Sequence, residues 1–141
     1  ARRHPNALVL GADTVVVSAG RILGKPSDPA EGREMLESLN GRWHKVYTGV
    51  ALVHRGSRLA LSDAAVSRVK ARRLEAAALE RFVGRHLDKA GGYAIQDVRD
   101  PFIEAVEGSR DNVVGLPLDV VRRLLKRAAA SPRGAAPRPR G

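Results

Sequence analysis

Cysteine is absent from the 141 residues, and the chain has only one Trp, two Tyr and two Phe. The lack of Cys excludes disulfide frameworks, thiol nucleophiles and Cys-based zinc or iron–sulfur sites. No apolar run approaches the roughly 20 residues that a membrane-spanning helix needs. The first residues lack the hydrophobic region of a secretory signal. A length of 141 residues instead suits a single domain with one hydrophobic core.

Positive charge is concentrated at one end of the chain. Seven of the 25 basic residues and none of the 15 acidic ones lie in the last 20 positions. Residues 131–141 contain only Ser, Pro, Arg, Gly and Ala, which predicts a disordered basic tail after a domain over residues 1–130. Because few aromatic residues are available to stack on bases, we expect weak affinity for polyanions rather than specific nucleic-acid recognition.

Strand and helix patterns alternate along residues 1–130. The patterns predict strands at 7–17, 21–24, 43–54, 58–72, 93–96 and 102–106, helices at 28–40, 75–85 and 117–129, and a polar turn at 107–112. The first strand is apolar enough to be buried on both faces. The strand at 58–72 carries a basic exposed stripe at Arg68, Lys70 and Arg72. This order predicts an α/β or α+β domain with a mixed sheet.

Asp13 interrupts the apolar run of the first strand. An ionised carboxylate among Val side chains costs several kcal/mol unless it is paired or bound to a cation, and carboxylates in such positions are often functional. The alternative is an Asp at a strand end that caps a neighbouring turn. Lys25 lies across the predicted hairpin and would bring a cation close to this carboxylate, although it is equally compatible with a solvated lysine.

Three further features have both a functional and a structural interpretation. Asp88 and Lys89 pair opposite charges before Gly91-Gly92, where glycine would let a ligand approach the backbone, or they form an ordinary exposed ion pair in a loop. Gln96 reads a base edge through its amide or bonds to a neighbouring strand. The segment 112–117 opens the last helix and lines a site. Residues 20–26 are one residue short of a P-loop and have Pro where that loop needs Ser or Thr, which excludes this class of phosphate site.

Six blocks of the sequence together resemble the Maf family of nucleoside triphosphate pyrophosphatases. They are Gly-Ala-Asp-Thr-Val-Val at 11–16, Gly-Lys-Pro at 24–26, Tyr-Thr-Gly-Val at 47–50, Asp-Lys-Ala-Gly at 88–91, Tyr-Ala-Ile-Gln at 93–96 and Asn-Val-Val-Gly-Leu-Pro at 112–117. The resemblance implies a twisted mixed sheet flanked by helices. It also implies hydrolysis of a nucleoside triphosphate to the monophosphate and pyrophosphate with a divalent cation, Mg²⁺ or Mn²⁺.

The resemblance implies roles for single residues. Asp13 matches the catalytic proton acceptor, with a metal ligand as the alternative role, and Lys25 matches a phosphate contact. Thr14 and Gln96 match positions typical of the branch that acts on dTTP and UTP. Asp88 and Lys89 fall in a matching block and would bind substrate, with Lys89 neutralising phosphate charge. Members are often dimers, and the substrate class predicts a cytoplasmic location.

The chain lacks one segment of the family pattern, a strand and a Ser-x-Ser-Pro-Arg-Arg loop that grips the phosphates. The sequence therefore resembles a family member that is missing its first third. Three hypotheses follow: a dTTP/UTP pyrophosphatase, a non-catalytic remnant that binds nucleotides, and a basic interaction module that works through residues 122–141.

Overall fold

The computed structural model describes residues 1–97, 99 and 101–131. In chain order, the elements are β1 Val9–Ser18, β2 Arg21–Leu23, α1 Pro29–Leu39, β3 Trp43–His54, β4 Leu59–Ala71, α2 Ala76–Glu80, a 3-10 turn at Ala90–Gly92, β5 Ile103–Glu107, α3 Arg110–Val114 and α4 Leu118–Ala130. None of the helices within the described residues is both long and apolar enough to cross a membrane. The predicted basic tail, residues 131–141, lies outside the described residues except for Ser131.

Helix α1 begins where local sequence rules place it. The side chain of Asp28 accepts a hydrogen bond of 2.8 Å from the backbone N–H of Glu31, and Pro29 occupies the first helical position. Such an N-cap contributes about 1 kcal/mol to helix stability. The helix ends before Asn40, as predicted.

The five strands form one sheet in the order β2-β1-β3-β4-β5. The predicted α/β class, a sheet flanked by helices, is confirmed. Every strand pair in the described residues is antiparallel, whereas a mixed sheet was expected. Strands β2 and β3, which α1 connects, run in the same direction because each is antiparallel to β1. They do not pair with each other, since β1 lies between them. No parallel ladder therefore forms among the strands described.

All four described helices pack on one face of this sheet. The main core joins the inward side chains of the strands to α1, α2 and the loop before β5. Its members include Val16, Val46, Leu36, Phe82 and Phe102. A second, smaller cluster packs α4 against the other end of β3 and β4. We call this side the covered face.

The opposite side, which we call the open face, has no described helix on it. Val15, Tyr47 and Val66 are paired across three strands and form a row at its centre, where Val66 is 53% exposed. Beyond them lies the predicted basic stripe, which is confirmed for Arg68, whose guanidinium lies 4.8 Å from the centre of the Trp43 ring. The open face thus combines apolar, small and basic side chains.

Three predicted elements differ from the structure. Residues 93–96 form no strand but a turn, because the chain has just passed through the two positive-φ glycines at 91 and 92 and the side chain of Tyr93 turns into the core. The helix predicted at 75–85 ends at Glu80 and continues as turns. The polar turn at 107–112 contains the start of α3, whose N-cap is Ser109.

Candidate active site

A pocket of about 190 Å³ lies against β1, between the loop that precedes β5 and helix α3. All six residues that the sequence singled out line it: Asp13, Thr14, Lys25, Asp88, Lys89 and Gln96. The remaining lining residues are Ala12, Val16, Val46, Ala90, Tyr93, Ala94, Ile95, Val113 and Val114. Residues as far apart in the sequence as Ala12 and Val114 therefore meet at one place.

Asp13 stands at the rim of the pocket and is exposed, in contrast to the expectation of a carboxylate buried on both sides of a strand. Alternation along β1 places its side chain on the open face, opposite Thr14 and Val16. Because no described helix covers that face, and because Gly11 and the cross-strand partner Gly49 have no side chains there, water reaches the carboxylate. Among the described strands, β2 pairs with β1 only at residues 16–18, so the edge of β1 next to Asp13 is open toward the pocket.

Thr14 belongs to a chain of hydrogen bonds that crosses the covered face. Its hydroxyl oxygen lies 2.9 Å from that of Thr48, its cross-strand partner on β3. The hydroxyl of fully buried Thr48 in turn donates to the backbone carbonyl of Asn112 at 3.1 Å. The pocket wall at Thr14 is therefore tied to α3 through two strands.

Asn112 fixes the position of α3. Its buried side-chain amide donates to the carbonyl of Val46 and to the hydroxyl of Ser67, each at 3.0 Å. Ser67 donates to the backbone carbonyl of Ser109 at 2.8 Å. These bonds hold the first turn of α3 on β3 and β4, and they set the place of the wall residues Val113 and Val114. The prediction that segment 112–117 lines a site agrees with this placement.

The loop from residue 86 to 97 forms the other wall. An ion pair of 3.5 Å joins Asp88 and Lys89, whose side chains are 73% and 43% exposed. A hydrogen bond of 2.8 Å between His86 and Asp97 connects the two ends of the loop. Gln96 lies in the turn just before Asp97 and is exposed. Solvated charges and one amide thus face the pocket from this side.

Gly91 and Gly92 shape this loop from within. The prediction that they let a ligand approach is not supported, because both are buried and neither lines the pocket. Gly91 has φ +75°, and a Cβ there would lie 3.1 Å from the ring of Tyr93. Its N–H donates to the carbonyl of Gly24 at 3.0 Å. This bond places Lys25, the next residue, beside the loop.

Tyr93 anchors the loop in the core. Its phenol oxygen is hydrogen-bonded to Nε2 of His44 at 2.7 Å, and the two rings meet edge to face. Burial lowers the pKa of His44 to about 4, and the nearby backbone of Arg42 opposes that shift in part. Burial also raises the pKa of Tyr93. Both groups are therefore neutral at pH 7, as a dry contact between them requires.

The donor set fits a divalent cation shared with a substrate. Within the described residues, no group of three or more His, Asp or Glu side chains is arranged to hold a metal ion. Two carboxylates, Asp13 and Asp88, do line the same pocket. Mg²⁺ is commonly bound by one or two carboxylates together with the phosphates of its substrate. Asp88, and Asp13 in its alternative role, would hold such an ion, which would supply positive charge to the phosphate oxygens.

No individual role was predicted for Thr48, Asn112 or Tyr93, although Asn112 begins the segment 112–117 that was expected to line a site. One signal was available for Thr48, a polar residue between the apolar inward positions Val46 and Val50 of β3. Its partner Asn112 is 64 residues away, so no local pattern predicts the bond.

One protein family matches this chain over most of its length. The family model described as "Maf-like protein" matches residues 1–128. The chain belongs to the Maf family. This membership confirms the resemblance that the six blocks indicated, and the pocket of the Maf-like chain brings together residues from five of those blocks.

Curated relatives support the same assignment. The Maf-like chain is 43% identical over 126 residues to a protein of Elusimicrobium minutum, 46% identical over 124 residues to one of Syntrophus aciditrophicus and 45% identical over 129 residues to one of Shouchella clausii. Each is named dTTP/UTP pyrophosphatase. The matches cover 86–90% of this chain. The chain spans 60–68% of the length of these relatives.

Proposed function

We propose that this chain carries the substrate pocket of a nucleoside triphosphate pyrophosphatase that hydrolyses dTTP and UTP to the monophosphate and pyrophosphate. The names of its relatives support this substrate class. The observation that carries the proposal is the meeting of two carboxylates, two lysines, a threonine and an amide around one pocket.

The size and charge of the pocket suit one part of a nucleotide. Its volume of about 190 Å³ is below the roughly 300–1,000 Å³ of typical small-molecule sites. We assign the enclosed part to the base and sugar. The triphosphate then lies toward the exposed side, where the ammonium groups of Lys25 and Lys89 neutralise its negative charge.

Asp13 is proposed to take a proton from the attacking water. The oxygen of that water forms a bond to a phosphorus of the α–β anhydride, and the P–O bond from that phosphorus to the bridging oxygen breaks. The products are the nucleoside monophosphate and pyrophosphate. Little covalent chemistry is needed from the protein in such a reaction, and positioning and charge stabilisation account for most of the catalysis. An exposed carboxylate at the rim suits this role, because the nucleophile comes from solvent.

Gln96 and Thr14 are proposed to contact the base. An amide offers a donor and an acceptor side by side, which is what the edge of uracil or thymine requires. Thr14 adds a hydroxyl from the opposite wall, on β1. Neither side chain carries a charge, so each would contact the base through neutral hydrogen bonds.

Several finer statements belong to the same proposal. A divalent cation, Mg²⁺ or Mn²⁺, assists the reaction, with Asp13 as an alternative ligand. The protein acts in the cytoplasm on free nucleotides, without a specific nucleic-acid partner, and a homodimer is its expected assembly. Residues 1–130 form the catalytic domain and 131–141 a basic tail.

The test is pyrophosphate release from dTTP, UTP, CTP and GTP with Mg²⁺ or Mn²⁺. It uses the 141-residue chain and any longer form that its reading frame encodes. We expect turnover of dTTP and UTP above CTP and GTP, and a loss of at least about 100-fold in Asp13→Asn, the scale of a lost general base. Asp119→Asn, an exposed carboxylate on α4 outside the pocket, is the matched control and should retain full activity.

Two results would redirect the proposal. Undiminished turnover in Asp13→Asn would remove the assigned role of that carboxylate. A nucleotide-dependent rise in Tm without any pyrophosphate release would support the binding-only hypothesis, because a ligand that binds the native state stabilises it even when nothing is hydrolysed.

A further inference from the structure

The single hydroxyl hydrogen of Thr48 determines which group donates in each of the hydrogen bonds around it. A threonine hydroxyl has one hydrogen, and the backbone carbonyl of Asn112 can only accept. The Thr48 hydroxyl oxygen lies 3.1 Å from that carbonyl in the protein interior, where Thr48 is fully buried. If the hydrogen pointed elsewhere, two acceptor oxygens would face each other without a proton between them, which is costly in a buried site. Thr48 therefore donates to Asn112.

This direction determines what Thr14 can do. The 2.9 Å contact between the two threonine hydroxyls also needs one hydrogen. Since the hydrogen of Thr48 is already engaged, the hydrogen must come from Thr14. The hydroxyl of Thr14 then has no proton left for the pocket it lines, and its oxygen offers only lone pairs.

The carbonyl that sets this direction is held in place by several bonds. The side chain of Asn112 is anchored to Val46 and Ser67, and its carbonyl also accepts from the N–H of Gly115 at 3.0 Å. Removal of the Thr48 hydroxyl would therefore leave the carbonyl of Asn112 paired. It would free only the hydroxyl of Thr14 to rotate and donate.

We propose that Thr48 is a specificity-determining positioning residue that makes Thr14 an acceptor-only group in the nucleotide pocket. This inference rests on the proposed function. A fixed acceptor selects a nucleotide with a hydrogen-bond donor at that point. Uracil and thymine carry such a donor at N3–H, whereas N3 of cytosine is an acceptor. A sugar hydroxyl is a second source of the same donor chemistry.

The experiment compares Thr48→Val with Thr48→Ser in the chain that shows turnover. Valine keeps the shape of threonine and loses the hydroxyl, and serine keeps the hydroxyl and loses the methyl. kcat/KM is measured for UTP, CTP, N3-methyl-UTP and 2′-deoxy- and 3′-deoxy-UTP, with Tm as the measure of folding. We expect Thr48→Val to lower the UTP-to-CTP ratio of kcat/KM by about tenfold, the equivalent of one hydrogen bond. Thr48→Ser should keep that ratio.

The analogues identify the donor. Loss of discrimination against N3-methyl-UTP in Thr48→Val supports the proposal with the base as donor. Loss of discrimination against a deoxy analogue supports it with the sugar hydroxyl as donor. Thr14→Val, which removes the acceptor itself, should show the same loss and gives a second measurement if Thr48→Val folds poorly.

Two outcomes would overturn the proposal without touching the proposed function. In the first, Thr48→Val keeps the wild-type ratio of kcat/KM for UTP against CTP and also keeps the wild-type discrimination against N3-methyl-UTP and both deoxy analogues. In the second, Thr48→Val and Thr48→Ser lose selectivity equally, as expected of a packing role alone. If wild-type protein hydrolyses no nucleotide, the proposed function fails, and the rise in Tm with UTP and N3-methyl-UTP becomes the measurement. An identical pair of Tm shifts in wild type and Thr48→Val then overturns the proposal on Thr48.

Discussion

The covered face and the open face of the sheet belong to the same strands but differ in almost everything that packs on them. On the covered face, Val46 and Val69 have at most 1% of their surface exposed, and Thr48 between apolar neighbours is fully buried. On the same strands, Tyr47, next to Val46, and Val66, three residues before Val69, point the other way and are partly or largely exposed. The difference in exposure comes from the helices, since the alternation of side chains along each strand places equal numbers of them on the two faces.

The comparison shows where a polar side chain can be given a defined direction. On the covered face, a buried hydroxyl or amide N–H is costly without an acceptor, and Thr48, Ser67 and the side-chain NH₂ of Asn112 form a connected set of bonds. On the open face, Arg68 forms a 2.7 Å ion pair with Glu107, but both side chains are more than half exposed. Such exposed pairs contribute little to stability. Specific recognition is therefore expected on the covered side and at its rim.

Truncation of the covered core should have the largest effect. Phe102 is 1% exposed and packs between the rings of Phe82 and Tyr93, with ring centres 5.7 and 5.6 Å away. We expect Phe102→Ala to lower the free energy of unfolding by about 3–5 kcal/mol, measured by urea denaturation. A loss below about 1 kcal/mol would contradict the view that this face holds the fold together.

Acid should weaken the covered face by a smaller amount. Burial holds the pKa of His44 at about 4, against 6.5 when it is exposed. Between those values the unfolded chain binds more protons, so stability is complete above pH 6.5 and falls as the pH drops toward 4. The loss from this residue is on the order of 3 kcal/mol.

The measurement is urea unfolding from pH 7 to 4 in wild type and in His44→Gln, which has no group that titrates in this range. The variant should show a shallower loss of stability over that interval. Equal slopes in the two proteins would place the acid sensitivity elsewhere.

Substitution on the open face should have the smallest effect. Val66→Thr replaces a methyl with a hydroxyl at a position that is 53% exposed. Because water already reaches this side chain, we expect the free energy of unfolding to change by less than about 0.5 kcal/mol. Val69→Thr, three residues along on the covered face, is the matched control and should cost more than about 1 kcal/mol. Similar costs for the two would mean that the open face is covered in solution.

Local rules predicted much of this fold because the signals lie close together in the chain. Asp28, Pro29 and Glu31 mark the start of α1 within four residues, and alternating burial marks β3 from Trp43 to Leu52. All six predicted site residues line one pocket. They could be predicted because the sequence blocks that carry them resemble those of a known family.

Long-range contacts account for the differences. Tyr93 was assigned to a strand, but its partner His44 lies 49 residues away and draws it into the core. Asp13 was expected to be buried, yet the exposure of an apolar strand depends on which face the helices cover, and residue types in β1 do not contain that information. The Thr48–Asn112 bond likewise joins residues that only the sheet and α3 bring together.

The central claim, that the pocket on β1 binds a pyrimidine nucleoside triphosphate, is tested most directly by amide chemical shifts during titration with UTP and Mg²⁺. Inorganic tripolyphosphate serves as the control for general polyanion binding. The account predicts UTP-specific shifts at Thr14, Lys89 and Gln96, with Val66 on the open face unchanged. Shifts that cluster around Arg68 on the basic stripe, or that tripolyphosphate reproduces in full, would contradict it.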